Sequence, residues 1–188
     1  GKTCLDDDGC GAPCGCPVGE ACAGSGQCQT VGAGDTCDVP FEAAIGQVTG
    51  DTSLAFNDYS APSCGGEGPV GGGSKDQAWS LATVVGAQYT VTLDPSFDGA
   101  VYAVTTCGQP SSGCLDSADD GGSAGTDQIE FVGTGELVYL IVDGYSNSSD
   151  LSGTYSMFID ECVVSCVDKG CNEDDGCGTP CGCAAGFC

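Results

Sequence analysis

Apolar and polar residues alternate with a period of two through the middle of the chain. Tyr89-Thr90-Val91-Thr92-Leu93, Ile129-Glu130-Phe131 and Tyr155-Ser156-Met157-Phe158-Ile159 show this pattern, the mark of a strand with one buried face. Ala78-Trp79-Ser80-Leu81, Val101-Tyr102-Ala103-Val104 and Leu137-Val138-Tyr139-Leu140-Ile141-Val142 are further short runs of β-forming residues. Breaks at Asp98-Gly99, Gly133-Thr134-Gly135 and Asp143-Gly144 punctuate them, as turn residues do. No stretch sustains a helical period. The pattern predicts an all-β domain of seven or eight strands over 37–161, an antiparallel sandwich of jelly-roll-like or immunoglobulin-like form.

The flanks read differently. Cys4-Leu-Asp-Asp-Asp-Gly-Cys10-Gly-Ala-Pro-Cys14-Gly-Cys16, continuing to Cys22, returns as Cys171-Asn-Glu-Asp-Asp-Gly-Cys177-Gly-Thr-Pro-Cys181-Gly-Cys183, continuing to Cys188. An internal repeat of this kind sets the organisation of the chain. The first copy (1–36) runs on to Cys28, whereas the second (162–188) is preceded by Cys162 and Cys166. Superposed, they describe a module of eight cysteines, an even number suited to complete pairing. The odd total of 17 is then expected if each copy is truncated and the parent protein is a tandem array. A free thiol is the rival account. Each module has little apolar material beyond Val18 or Phe187, so cross-links of about 2–4 kcal/mol each must replace burial. Glycines at 9, 11, 15, 176, 178 and 182 suit tight turns with positive φ.

Composition narrows the setting. Cysteine at this density, with no histidine and no paired Cys-x-x-Cys knuckles, predicts disulfides rather than metal sites, and an oxidising, extracellular or cell-surface location. The net charge is -24, from 27 acids against three lysines and no arginine. That sign argues against nucleic acid and anionic membranes as partners, and no apolar run reaches the ~20 residues of a membrane span. Gly1 opens no basic-then-apolar leader, so a secretion signal is expected to have been removed or to lie outside this segment.

The residues also bound the chemistry. Without histidine, a serine or cysteine nucleophile lacks its usual base and zinc its usual ligand. Gly65–Gly73 is followed by neither a Lys-Ser/Thr pair nor a helix, so it is no phosphate loop. A non-enzymatic role is expected. Asp116, Asp119 and Asp120, then Gly121 and Asp127, partly follow a calcium loop, with Ala118 in place of an oxygen ligand. An acidic strand connection is the other reading of the same residues. Asp6-Asp7-Asp8 and Asp174-Asp175 are expected to form turns through side-chain to backbone bonds. Asn147-Ser148-Ser149 is an N-glycosylation sequon. Trp79, the one tryptophan, is expected in the core, which leaves Tyr59 and Tyr145 as aromatic candidates for glycan contact.

Two resemblances add to this reading. The cysteine motifs resemble the Gly-Cys-Gly-x-x-Cys-Gly-x-Cys repeats of secreted bacterial proteins, which implies location and architecture. Phe97-Asp98-Gly99-Ala100-Val101-Tyr102, Cys107 to Cys114-Leu115-Asp116, Leu140-Ile141-Val142-Asp143-Gly144-Tyr145 and Ser152-Gly153-Thr154-Tyr155 resemble the pre-peptidase C-terminal β-sandwich domains of bacteria. That likeness implies an accessory module, some of whose members bind calcium or matrix polymers. The glycine-rich stretch Gly65–Ser74 departs from it. Cys107 and Cys114 flank a short turn and are expected to bridge each other, leaving Cys37 to pair with Cys64 if the Cα atoms lie within ~7 Å. Together these features predict a structural repeat unit of a surface protein or fibre, with tandem neighbours or self-association. The alternative is a calcium-dependent module that binds a glycan or an extracellular protein.

Overall fold

A computed structural model describes residues 32–60, 73–107, 113–122, 125–145, 151–178 and 180–182, and the backbone of 20–22 and 28–30. Near the N-terminus, β1 (Glu20–Cys22) and β2 (Cys28–Thr30) pair antiparallel, with Cys22 opposite Cys28. The following strands are β3 (Phe41–Glu42), β4 (Gly46–Asp51), β5 (Gln77–Ala82), β6 (Gln88–Pro95) and β7 (Gly99–Val104). Then come β8 (Cys114–Ala118), β9 (Asp127–Val132), β10 (Leu137–Gly144) and β11 (Thr154–Cys162). No α-helix occurs among the described residues; the short 3₁₀ turn Thr52–Leu54 is capped by Asp51, whose carboxylate accepts from the Ser53 amide at 2.9 Å.

Two sheets form. One has the order β3-β5-β10-β7-β8 and the other β4-β11-β6-β9. Every neighbour in them is antiparallel except β3 beside β5, which is parallel. The sheets pack as a sandwich, as the alternating pattern predicts. Val91, Leu93, Ile129, Met157 and Ile159 from one sheet meet Leu81, Val101, Leu140 and Val142 from the other. Full burial of such side chains contributes roughly 1.5–3 kcal/mol each. Trp79 lies in this core, 6 % exposed.

The five-stranded sheet is buried on its second face too. Ala78, Ala100, Tyr102, Val104 and Ile141 form a second apolar cluster there, covered by Cys37, Cys107 and Tyr59. All six residues of β7 are buried. Double burial explains why Val101–Val104 reads as an unbroken apolar run instead of an alternating one.

The six strands expected from the pattern are present as β5, β6, β7, β9, β10 and β11. Strands β3, β4 and β8 were not legible. Gln47, Thr49 and Asp51 are exposed and β4 carries only Val48 between glycines, so packing against β11 makes the strand, not its own propensity. Strand β8 holds Asp116 and Ser117, which puts part of the expected calcium loop inside a β-ladder.

Candidate functional site

The expected disulfide pairing in the sandwich is corrected. Cys37 is bonded to Cys107, with Cα atoms 6.0 Å apart, so neither a Cys107–Cys114 nor a Cys37–Cys64 bridge forms. The reason lies in the register: Cys114 stands opposite Val104 on the neighbouring strand, while Cys107 has run three residues past Val104 and out over the sheet. There it meets the covering segment that carries Cys37. Cys114 and Cys171 are each disulfide-bonded as well. In the C-terminal module Cys162 joins Cys177 and Cys166 joins Cys181, with Cα separations of 5.7 and 5.6 Å. Cys4, Cys10, Cys14, Cys16, Cys64, Cys183 and Cys188, and the sequon Asn147, lie outside the described residues; Cys22 and Cys28 are described by backbone alone.

The first of these bonds ties the module to the sandwich, and the second closes the module on itself. Cys162 is the last residue of β11. Asp174 and Asp175 serve as turn formers there, as their sequence predicts. Asp174 Oδ1 accepts from the Gly176 amide at 2.6 Å, and Asp175 Oδ1 from the Cys177 amide at 2.8 Å. Gly176 and Gly178 take φ of 98° and 83°, where a Cβ would be strained. An open cleft of about 680 Å³ lies between this module and the outer face of the four-stranded sheet, lined by Thr90, Glu130, Val132, Asp160 and Cys177 among others.

Two carboxylates of the acidic stretch accept hydrogen bonds from backbone amides. Asp116 Oδ2 accepts from the Glu130 amide on β9 at 2.8 Å, so Asp116 is a link between strands. Asp127 Oδ1 accepts from the amides of Asp120 and Gly121 at 2.7 and 2.8 Å. It therefore closes the loop between β8 and β9 from below. Asp127 is buried, and its Oδ2 has no hydrogen-bond partner. Burial pushes its carboxyl up, against the two amide bonds, and the charges of Asp120 and Asp98 add to the rise.

A second acidic group, unseen in the sequence pattern, sits under the cover of the five-stranded sheet. Asp35, Asp76 and Asp143 are each at most 3 % exposed. The register pairs Val142 with Gln77, so the next residues along, Asp143 and Asp76, stand side by side, where Cβ atoms are about 4.5–5.5 Å apart. Asp76 Oδ2 accepts from the amides of Asp58 and Tyr59, both at 2.9 Å, and Asp35 Oδ1 from the Phe56 amide at 2.7 Å. Burial first, and then the charge of Asp143, push Asp76 up to about 9. Burial and the charge of Asp35 push Asp58 up to about 6, and the Tyr102 phenol rises through burial and the charges of Asp143 and Asp76. Buried like charges disfavour ionisation in this way. The sequence offered one hint: Asp143 and Asp76 flank apolar strands, where turn residues are the ordinary reading. Tyr59, expected as a glycan contact, is instead part of this cover, its phenol oxygen accepting from the Cys37 amide at 2.8 Å. Tyr145 is exposed.

Among the described residues, no three cysteine, aspartate or glutamate side chains converge as a ready-made metal cage, and no helix is long and apolar enough to cross a membrane.

No protein-family model and no curated protein matches the chain. Two solved structures are similar to it. The pre-peptidase C-terminal domain of a collagenase from Bacillus anthracis aligns with a TM-score of 0.41 at 12 % identity, over 64 % of this chain and 94 % of that one. PliG from Aeromonas hydrophila, a periplasmic inhibitor of g-type lysozyme, aligns with a TM-score of 0.41 at 13 % identity, over 64 % and 96 %.

Proposed function

We propose that the chain is a non-enzymatic structural unit of an extracellular or cell-surface protein. In this reading a β-sandwich is clamped covalently to cysteine modules that recur along a larger assembly. The observation that carries it is the junction at Cys162: an inner strand of the four-stranded sheet ends in a cysteine bonded to the following module. A second bond, Cys166–Cys181, braces the module beyond that junction. A joint of this kind is poorly suited to a hinge and well suited to holding neighbouring units at a fixed spacing. The recurrence of the cysteine pattern on both sides of the sandwich supports the same reading. Electron microscopy of native, unreduced material is expected to show filaments or arrays with a regular axial repeat. Particles that stay monodisperse at the mass of one unit, with calcium present, would remove the assembly from the proposal.

A second reading, an accessory module that binds a glycan or an extracellular protein, is favoured by the acidic cleft beside Cys177. Glycan-array binding that disappears with chelator, and with substitution of Glu130 or Asp160, is the result it requires.

A further inference from the structure

Each sheet of the sandwich has two edges, and three of the four edge strands are blunted. Strand β3 is two residues long. Strand β8 carries a register shift against β7, and its Asp116 carboxylate takes the Glu130 amide of β9. Sheets are protected in such ways, or by lysine and proline, because a free row of N–H and C=O groups templates pairing with another chain. Strand β4 has none of these devices. It holds neither lysine nor proline, and its register with β11 runs unbroken from Gly46 to Asp51.

The ladder gives the direction of each backbone group on β4. The Thr52 amide donates to the Gly153 carbonyl at 2.9 Å, and Asp51 stands opposite Thr154. Alternation along the strand then turns the N–H and C=O groups of Gly50, Val48 and Gly46 toward β11, and those of Asp51, Thr49 and Gln47 away from it. Among the described residues, none takes the outward amides of Gln47 and Thr49. Their side chains and that of Asp51 are exposed. Val48, which packs against the core, is only partly buried.

We propose that β4 is a self-pairing edge, through which two copies of the chain join antiparallel about a two-fold axis at Thr49, fusing their four-stranded sheets into one. The strand is complementary to itself in this register. Thr49 faces the partner's Thr49, so every outward-turned residue finds a backbone partner. Gln47 falls opposite the partner's Asp51, an amide donor beside a carboxylate, and no two acids stand directly opposite. Val48 falls opposite the partner's Gly50, which covers it without crowding; a Cβ at Gly50 would run into the Tyr155 ring. An unrelated strand would have to match this pattern, whereas a second copy does so by symmetry. The net charge of -24 on each copy opposes the contact at long range, so screening salt strengthens it. The contact runs along the side of the sandwich, whereas Cys162–Cys177 extends the chain from the end of β11. The inference therefore stands whether or not units also recur in tandem.

The test uses the full, oxidised chain in sedimentation equilibrium over a range of concentration and salt. A reversible monomer–dimer equilibrium is expected, with the dimer favoured by added salt. Thr49→Pro removes the central outward N–H, a change that an edge strand tolerates, and is expected to weaken association by about ten-fold or more with little change in melting temperature. Gln47→Glu sets carboxylate against carboxylate on both sides of the axis and is expected to weaken association as well. It alters only an exposed side chain, and so serves if the proline variant folds poorly. Gln128→Glu makes the same charge change on β9 and is expected to associate as the parent does. A parent that stays monomeric at every concentration and salt, association that both β4 variants leave unchanged, or an equal loss in Gln128→Glu would each overturn the proposal. Each of these outcomes leaves the Cys162 junction untouched, since disulfide mapping and the axial repeat test that reading separately.

Discussion

The indole Nε1 of Trp79 donates to the phenol oxygen of Tyr155, 2.7 Å away, joining the two sheets inside the core. Tyr155 in turn donates to Gln77 Oε1 at 2.9 Å. Tyr155→Phe leaves a buried donor and a buried acceptor unsatisfied, and is expected to destabilise the fold by about 1–3 kcal/mol. A shifted tryptophan emission and a lower urea midpoint are the readouts. Gly50→Ala tests the same spot from the other side, since a Cβ there would run into the Tyr155 ring and come within 2.7 Å of Gln77 Oε1. It is expected to cost about 1–3 kcal/mol by overpacking.

Cys37–Cys107 spans 70 residues of sequence and holds the cover over the second face of the five-stranded sheet. The double variant Cys37→Ser/Cys107→Ser is expected to lose about 2–4 kcal/mol. The near-ultraviolet signal of Tyr59 and Tyr102 should weaken before the far-ultraviolet β signal does. An unchanged denaturation midpoint would mean that the bond is not formed.

The buried pair Asp76 and Asp143 makes a signed prediction about pH. Asp76 is raised from 3.8 to about 9 by burial, by Asp143 and by Asp58, against the amides of Tyr59 and Asp58; Tyr59 and Tyr102 are the other titratable groups beside it. The folded state therefore holds the proton more tightly than the unfolded chain. The contribution is fully present below about pH 4 and is lost as pH rises toward 9, at no more than about 1.4 kcal/mol per pH unit. Relative to Asp76→Asn, the parent is expected to grow less stable between pH 5 and pH 8. Parallel stability profiles for the two proteins would contradict this.

Disulfide mapping of unreduced protein is expected to recover peptides linking Cys162 to Cys177 and Cys166 to Cys181. Cys166→Ser/Cys181→Ser is expected to loosen the C-terminal module while leaving the melting of the sandwich within about 1 kcal/mol, because the sandwich core does not draw on those sulfurs. Proteolysis confined to 163–182 is the readout.

How much of this was legible in the sequence depends on where side chains point. Strands with one buried face announce themselves by alternation, and β6, β9 and β11 did so. Strand β4 was silent because its exposed face and its glycines carry no apolar rhythm. The Cys37–Cys107 bond was hidden because sequence spacing favours near neighbours, whereas the register that places Cys114 opposite Val104 is a tertiary fact. The surroundings of Asp127 were half legible. Asp120 and Asp127 lie in one acidic stretch, but Asp98 reaches them only through the pairing of β7 with β8. Asp76 and Asp143 read as ordinary turn residues because nothing local reveals that the outer face of their sheet is covered.

Strand β11 lies between β4 and β6, antiparallel to both, and ends at a covalent bond. A pull applied through Cys162 along the strand loads both hydrogen-bond ladders in shear, all rungs together, instead of opening them one at a time from an edge. Loaded in this way, the unit is expected to yield late and abruptly under tension, with a resistance that follows the length of the β11 ladders more than the thermodynamic stability of the sandwich.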